Sequence, residues 1–191
     1  MPVPRRGVSV GSDPYRRLAR REIYRNRWVV VESHEMLHPS GVAGEHIAIV
    51  TPRPSGVVAL TGHDEFLFTL QPRFAARRYL LEIVKGGAEE GESALDAARR
   101  ELREELGWSA AIWRPLGMLY ELPSLVEAPI SLYLACDLQA VPREPEETES
   151  IALRCLGRAE AVSMALSGEI TDAVTCAAIL RADAYLREGK Q

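Results

Sequence analysis

Between Gly86 and Trp108 the chain reads GGAEEGESALDAARRELREELGW, and this stretch holds more chemistry than any other. Glu101 and Glu105 are four residues apart and Glu101 and Glu104 three apart. On a helix, all three carboxylates therefore crowd one side. Like charges about 4 Å apart repel by roughly 4 kcal/mol at an effective dielectric near 20. Something positive has to offset that. Arg100 is placed to pair with Glu104 one turn on, and Arg99 and Arg103 flank the cluster. A hard divalent cation offsets it further, because magnesium takes oxygen ligands, usually one or two carboxylates together with substrate phosphates. The glycines ahead of the helix let the backbone approach a ligand and offer a carbonyl oxygen. Together these features describe a site for magnesium and a phosphate oxyanion. Taken alone, the carboxylate spacing also describes a solvated helix face laced with ion pairs.

The elements that must position these groups can be read around them. Ser93 is a helix N-cap with Asp96 three residues on, and Leu95, Ala98, Leu102 and Leu106 form one apolar stripe. Gly107 follows where a left-handed cap is expected. The spacing thus predicts one helix from Ser93 to Leu106. Upstream, Arg27–Glu32, His46–Thr51, Val57–Thr61, Glu65–Leu70 and Tyr79–Val84 read as strands, and Thr61–Asp64 as a hairpin turn. Downstream, Leu116–Glu121, Ile130–Asp137 and Ile151–Leu156 read as strands. Glu160–Ser167 and Thr171–Arg187 read as closing helices, and 142–149 as an exposed acidic loop. Strands interrupted by one helix and closed by two imply an α/β fold, a mixed β-sheet covered by helices. Residues 1–21 are Arg-rich and broken by Pro and Gly, and read as an N-terminal arm ahead of a domain at 22–191. His34 and His38 precede Pro39-Ser40-Gly41 and read as part of a loop, not a metal helix.

Composition excludes several classes. Hydrophobic residues make up 47% and charged residues 26%, the balance of a soluble globular domain. The formal charge of −4 argues against a nucleic-acid coat protein. Cys136, Cys155 and Cys176 are odd in number and widely spaced, which fits neither a disulfide framework nor a thiolate zinc site. They fit a reducing, cytoplasmic setting. No apolar run approaches the ~20 residues of a membrane span.

The segment as a whole resembles the Nudix box, G-x5-E-x7-R-E-U-x-E-E-x-G-U with U aliphatic. The matches are Gly86, Glu92, Arg100, Glu101, Leu102, Glu104, Glu105 and Gly107, with Trp108 at the last aliphatic position. At average residue usage, a chance match of the fixed positions is on the order of 10⁻⁶. The resemblance implies a Nudix-type α/β/α sandwich carrying a loop–helix–loop motif. It implies Mg2+, with Mn2+ as a substitute, on Glu101, Glu104 and Glu105 and on the backbone carbonyl of Lys85. It makes Arg100 the residue that orients the carboxylates and Glu92 a brace for the turn. Gly86 and Gly107 serve backbone geometry.

The flanks resemble the group that hydrolyses ADP-ribose and nucleoside diphosphate sugars. Gln71-Pro72-Arg73 matches its Q-x-R, and Glu82-Ile83-Val84-Lys85-Gly86 its E-(I/L)-P-A-G, with Val84 and Lys85 replacing Pro-Ala. The resemblance implies that Arg73 meets substrate phosphates and Glu82 faces the nucleotide. Pro123, sixteen residues beyond Gly107, stands where this group carries a marker proline. Glu127, the sole acid between Pro123 and Asp137, is the candidate general base. Trp28 is a candidate to stack on adenine, contributed by a homodimer partner through strands within 22–45. Each has a plainer reading: a surface arginine, a strand-surface carboxylate, a core or interface aromatic. The implied reaction is hydrolysis of a small-molecule nucleotide, ADP-ribose giving AMP and ribose 5-phosphate. Other Nudix substrate classes (a dinucleoside polyphosphate, coenzyme A, a damaged nucleoside triphosphate), a non-catalytic nucleotide-binding module and an RNA-directed enzyme using the arm remain alternatives.

Overall fold

Strands dominate the computed structural model, which describes residues 13–143 and 151–189. Residues 1–12 of the Arg-rich segment, and the acidic loop from position 144 on, lie outside the described residues. The described residues divide into two compact units, one up to Val50 with Ser124–Glu127, the other Thr51–Pro123 with the described residues from Ala128 on.

The first unit is an antiparallel sheet of β1 (Arg16–Arg25), β2 (Val30–Leu37) and β3 (Ala43–Val50), in that order. Within the described residues the Arg-rich stretch is thus a strand, crossing the boundary drawn at 21/22. Its arginines find acids across the ladder and along the strand: Arg20 lies 3.5 Å from Glu32, and Arg25 pairs with Glu22 at 2.7 Å. The strand read from Arg27 begins instead at Val30. Asn26 is the reason: its Oδ1 accepts from the backbone N–H groups of Trp28 and Val29, both at 2.8 Å, and closes a turn. Trp28 therefore sits on a turn rather than a strand. His34 is likewise a strand residue, buried on β2 beside Glu32, and not part of a loop. Only His38 stands in the turn that follows.

The second unit is a seven-stranded mixed sheet. Its main path runs β10 (Ala152–Gly157), β5 (Glu65–Arg73), β4 (Pro54–Leu60), β9 (Pro129–Ala140), β8 (Trp108–Tyr120). β4 and β9 are parallel; the other pairs are antiparallel. The 61–64 hairpin turn joins β4 to β5, with Asp64 at φ 59°. The strand expected over 79–84 is broken at Ile83 into β6 (Arg78–Glu82), paired with β5, and β7 (Val84–Gly87), paired with β4. At the break, the N–H of Ile83 leaves the ladder and donates to Thr175 Oγ1 at 3.0 Å.

Each face of this sheet has its own core. Val57, Ala59, Leu67 and Val84 pack on Ala98, Leu102 and Leu106 of the carboxylate helix. Val58, Phe66, Phe68, Ile83, Leu132 and their neighbours pack on α2 (Arg158–Ser167) and α3 (Ala173–Arg187). Helices on both faces of a mixed sheet make the expected α/β/α sandwich.

Candidate active site

The helix that carries the acids starts as its sequence requires. Ser93 Oγ accepts from the Asp96 N–H at 3.1 Å and caps α1 (Ala94–Glu101). It does not continue as one α-helix to Leu106. From Leu102 to Leu106 the backbone widens into a π-helical turn, closed by Gly107 at φ 72°. Such widened turns recur at functional sites because they re-aim side chains that an α-helix would stack. Here Leu102 and Leu106 stay in the core while Glu105 is drawn in to 3% exposure. Glu101 and Glu104 remain more accessible, with side chains 13% and 25% exposed.

Arg100 organises the cluster. Its Nε and Nη2 donate to the two carboxylate oxygens of Glu92, both at 3.1 Å, a bidentate fork. Its Nη1 donates to Glu101 at 2.8 Å and to Glu104 at 3.0 Å, and its Nη2 also reaches the Gly87 carbonyl at 2.8 Å. One guanidinium thus ties the turn before the helix to two acids on it. Burial alone would lower the Arg100 pKa, but the acids around it drive it far above the ordinary arginine value. The hydrogen bond from Arg100 in turn holds Glu92 below the usual carboxylate range. Glu92 also accepts from the Glu89 N–H at 2.8 Å, within the turn ahead of the helix.

Gly86 is glycine for a visible reason. A Cβ there would lie 1.9 Å from Glu101 Cδ, so the carboxyl of Glu101 occupies the space a side chain would need. Ser55, paired with Gly86 across the ladder, projects on the same sheet face. It is 1% exposed, and its hydroxyl has no hydrogen-bond partner among the described residues. The donor set here is all oxygen, which suits a hard cation. Among the described residues no three His, Cys, Asp or Glu side chains are gathered as a cage; Arg100 stands between Glu101 and Glu104 instead. Glu101 over Gly86 and the unpartnered Ser55 hydroxyl on the same face are the oxygen groups brought to this glycine strand.

Arg73 and Glu82 are brought together. Arg73, at the end of β5, forks onto Glu82 through Nε at 2.9 Å and Nη2 at 2.5 Å. Glu82 is no strand-surface carboxylate: it is 1% exposed. The Lys85 ammonium and Asp172 complete a row of charges; sequence reading named Lys85 only for its backbone carbonyl and missed Asp172. Lys85 Nζ lies 2.8 Å from Asp172 and 3.3 Å from Glu82. Burial alone would raise the Asp172 pKa, but the ammonium of Lys85 and the hydroxyl and N–H of Thr175 hold it low. Asp172 was findable, since Asp-x-x-Thr at a helix start is a capping pattern.

Pro123 is exposed beyond β8. Glu127 belongs to the first unit, where its N–H donates to the Ile49 carbonyl at 2.8 Å and its carboxylate faces Arg17 at 3.3 Å. Trp28, also in the first unit, is 60% exposed, with the Arg27 guanidinium 4.0 Å from its ring centroid.

Comparisons with known proteins converge on one family. The NUDIX domain family matches residues 51–174, which contain the whole acidic segment. The ADP-ribose pyrophosphatase of Bacillus subtilis (strain 168) is 26% identical over 164 residues, covering 85% of this chain and 89% of the relative. The ADP compounds hydrolase NudE of Escherichia coli (strain K12) is 28% identical over 130 residues, covering 68% and 70%. The crystal structure of an ADP compounds hydrolase, 23% identical, superposes with a TM-score of 0.79 over 95% of this chain and 99% of that one, and shares its fold. With the motif, its geometry and the fold in agreement, this chain belongs to the Nudix family of hydrolases.

Proposed function

We propose that this pyrophosphohydrolase cleaves the phosphoanhydride bond of nucleoside diphosphate derivatives, ADP-ribose foremost, releasing AMP and ribose 5-phosphate, and that it works with magnesium. The observation that carries the reading is the Arg100 cluster. One arginine gathers Glu92, Glu101 and Glu104 beside a glycine strand whose missing side chain makes room for Glu101. A solvated helix face would not need that room.

Nudix hydrolases generally use divalent ions. Glu101, Glu104, Glu105 and the Lys85 carbonyl would hold the ion. When bound, it neutralises charge on the diphosphate oxygens and lowers the pKa of water. The rest falls to the chain's own groups. Arg100 keeps Glu101 and Glu104 oriented. Arg73 offers a forked guanidinium to phosphate oxygens. Glu82 acts through Arg73, because its burial leaves it facing cations. Glu127 takes a proton from the attacking water, so that one phosphorus gains a hydroxyl and the bridging oxygen leaves with the other. Trp28 offers an exposed ring face to adenine. The similarity to the Bacillus ADP-ribose pyrophosphatase, and Pro123 where the ADP-ribose group carries its marker, favour ADP-ribose among the candidates.

A panel of ADP-ribose, dinucleoside polyphosphates, coenzyme A and nucleoside triphosphates, incubated with Mg2+ or Mn2+ and resolved by chromatography, tests this. The expected result is fastest turnover of ADP-ribose to AMP and ribose 5-phosphate. Preferred cleavage of another class would replace the substrate, and no phosphoanhydride hydrolysis at all would remove the function.

A further inference from the structure

Lys85 stands where the resembling group has alanine, and its side chain makes contacts that no alanine could. Its ammonium lies between two buried carboxylates, 2.8 Å from Asp172 Oδ2 and 3.3 Å from Glu82 Oε2. The same Glu82 oxygen accepts from Arg73 Nη2 at 2.5 Å. Two cations therefore share one carboxylate. They differ in access: the Arg73 side chain is 41% exposed, Lys85 13% and Glu82 2%. Arg73 is the most accessible of the three.

We propose that Lys85 is a positioning residue whose ammonium shares Glu82 with Arg73, so that Arg73 can exchange the Glu82 carboxylate for a diphosphate oxygen of the substrate. The inference rests on the reading of Arg73 as a phosphate contact. A buried carboxylate that loses its one cation is strongly disfavoured, so an isolated Arg73–Glu82 pair would resist opening. Lys85 removes that obstacle. When Arg73 turns outward, Glu82 keeps a cation, and Asp172, fixed by the Thr175 N–H at 2.8 Å, keeps the ammonium in place from the other side. Apparent affinity for a ligand scales with the fraction of protein in the competent state, here the fraction with Arg73 detached. Losing Lys85 lowers that fraction.

The test is ADP binding measured by calorimetry on the full chain in EDTA, where hydrolysis is suppressed. Lys85→Met is expected to weaken ADP binding by about tenfold or more, by lowering the detached fraction. Adding Glu82→Gln should return the affinity to within about threefold of wild type, because an amide needs no compensating cation. Arg73→Gln should weaken binding by itself and abolish any further effect of Lys85→Met. Wild-type affinity in Lys85→Met, or a double variant as weak as the single one, would overturn the exchange and leave the functional reading standing. If Lys85→Met does not fold, Glu82→Gln alone decides. Affinity equal to or above wild type supports the exchange, and a loss of about tenfold overturns it. Should Arg73→Gln bind ADP like wild type, the reading of Arg73 falls and the exchange with it. A wild-type chain that binds neither ADP nor ADP-ribose would remove the functional reading itself.

Discussion

At the scale of single residues, the site turns on where one carboxyl can sit. Glu101 fills the space above Gly86, and the clash that a Cβ would create is with the tip of a flexible side chain rather than with backbone. Gly86→Ala should therefore change stability little, within about 1 kcal/mol, the range of substitutions that leave the packed core intact. It should nonetheless cost turnover as heavily as Glu101→Gln, because Glu101 must move. Thermal melts and kcat on the same preparations separate the two effects; a collapsed melt with turnover per folded molecule preserved would refute the assignment. Glu105→Gln keeps the shape of a buried side chain and removes its charge. Turnover at saturating magnesium should fall by at least about a hundredfold with the far-ultraviolet dichroism unchanged, since even indirect disturbance of metal ligands costs 10- to 100-fold. Near-normal turnover would show that Glu105 holds nothing the reaction needs. The acids and Arg100 were legible in the sequence because the motif is local and its spacing is tied to a helix. The pairing of the Lys85 ammonium with Asp172 and the place of Ser55 beside Gly86 were not, because they are made by α3 and by β-pairing between residues far apart along the chain.

At the scale of elements, local signals were read well and long-range ones poorly. The Ser93 cap, the Gly107 left-handed stop and the 61–64 hairpin are decided by neighbouring residues, and each is present. The π-helical turn over Leu102–Leu106 has no signature in the spacing, which an α-helix would satisfy equally. The break at Ile83 depends on Thr175, ninety-two residues away. β1 read as an arm because its acids lie on another strand or next to residues that pair only in the sheet. The turn ahead of α1 carries a pH-dependent contribution. The hydrogen bond from Arg100 holds the Glu92 pKa below its ordinary value of 4.5. A carboxylate with a depressed folded value stabilises the fold fully above the unfolded value and loses that contribution as pH falls through the folded one. Glu92→Gln should therefore lower Tm at pH 7 by about 2–4 °C, the shift that ~1 kcal/mol produces in a chain of this size. The gap should shrink as the pH is taken well below 4.5. Melts of both proteins from pH 7 down to about pH 3 would show it; a gap that stays constant would place the effect in packing rather than charge.

At the scale of the whole molecule, a mixed sheet covered by helices was legible from the order of elements and its two helical layers from the family resemblance, whereas the first unit's surface was not. β1 is an edge strand on which every residue is exposed, among them Leu18, Ile23 and Tyr24. Elsewhere in the first unit Trp28, Val42 and Ile47 are also exposed. Among the described residues this is a ten-residue edge with apolar side chains and no strand on its outer side, a template for another chain, and native proteins cover such edges. Large exposed apolar patches on an otherwise polar surface mark interfaces for the same reason. A second copy of this chain is the simplest cover, because an isologous pairing of like edges closes on itself and leaves none over. The arginines of β1 do not forbid it, since Arg20 and Arg25 already have acids within their own sheet. The expected outcome is sedimentation at twice the 21.1 kDa chain mass at micromolar concentration. Replacing Leu18 and Ile23 together by aspartate should shift the protein to the single-chain mass while the second unit's near-ultraviolet spectrum persists. If Trp28 stacks on substrate from the partner, the same variant should also raise KM for ADP-ribose more than it lowers kcat. Wild-type protein that sediments as one chain at these concentrations would end the case for the dimer and move Trp28 back to an ordinary surface aromatic.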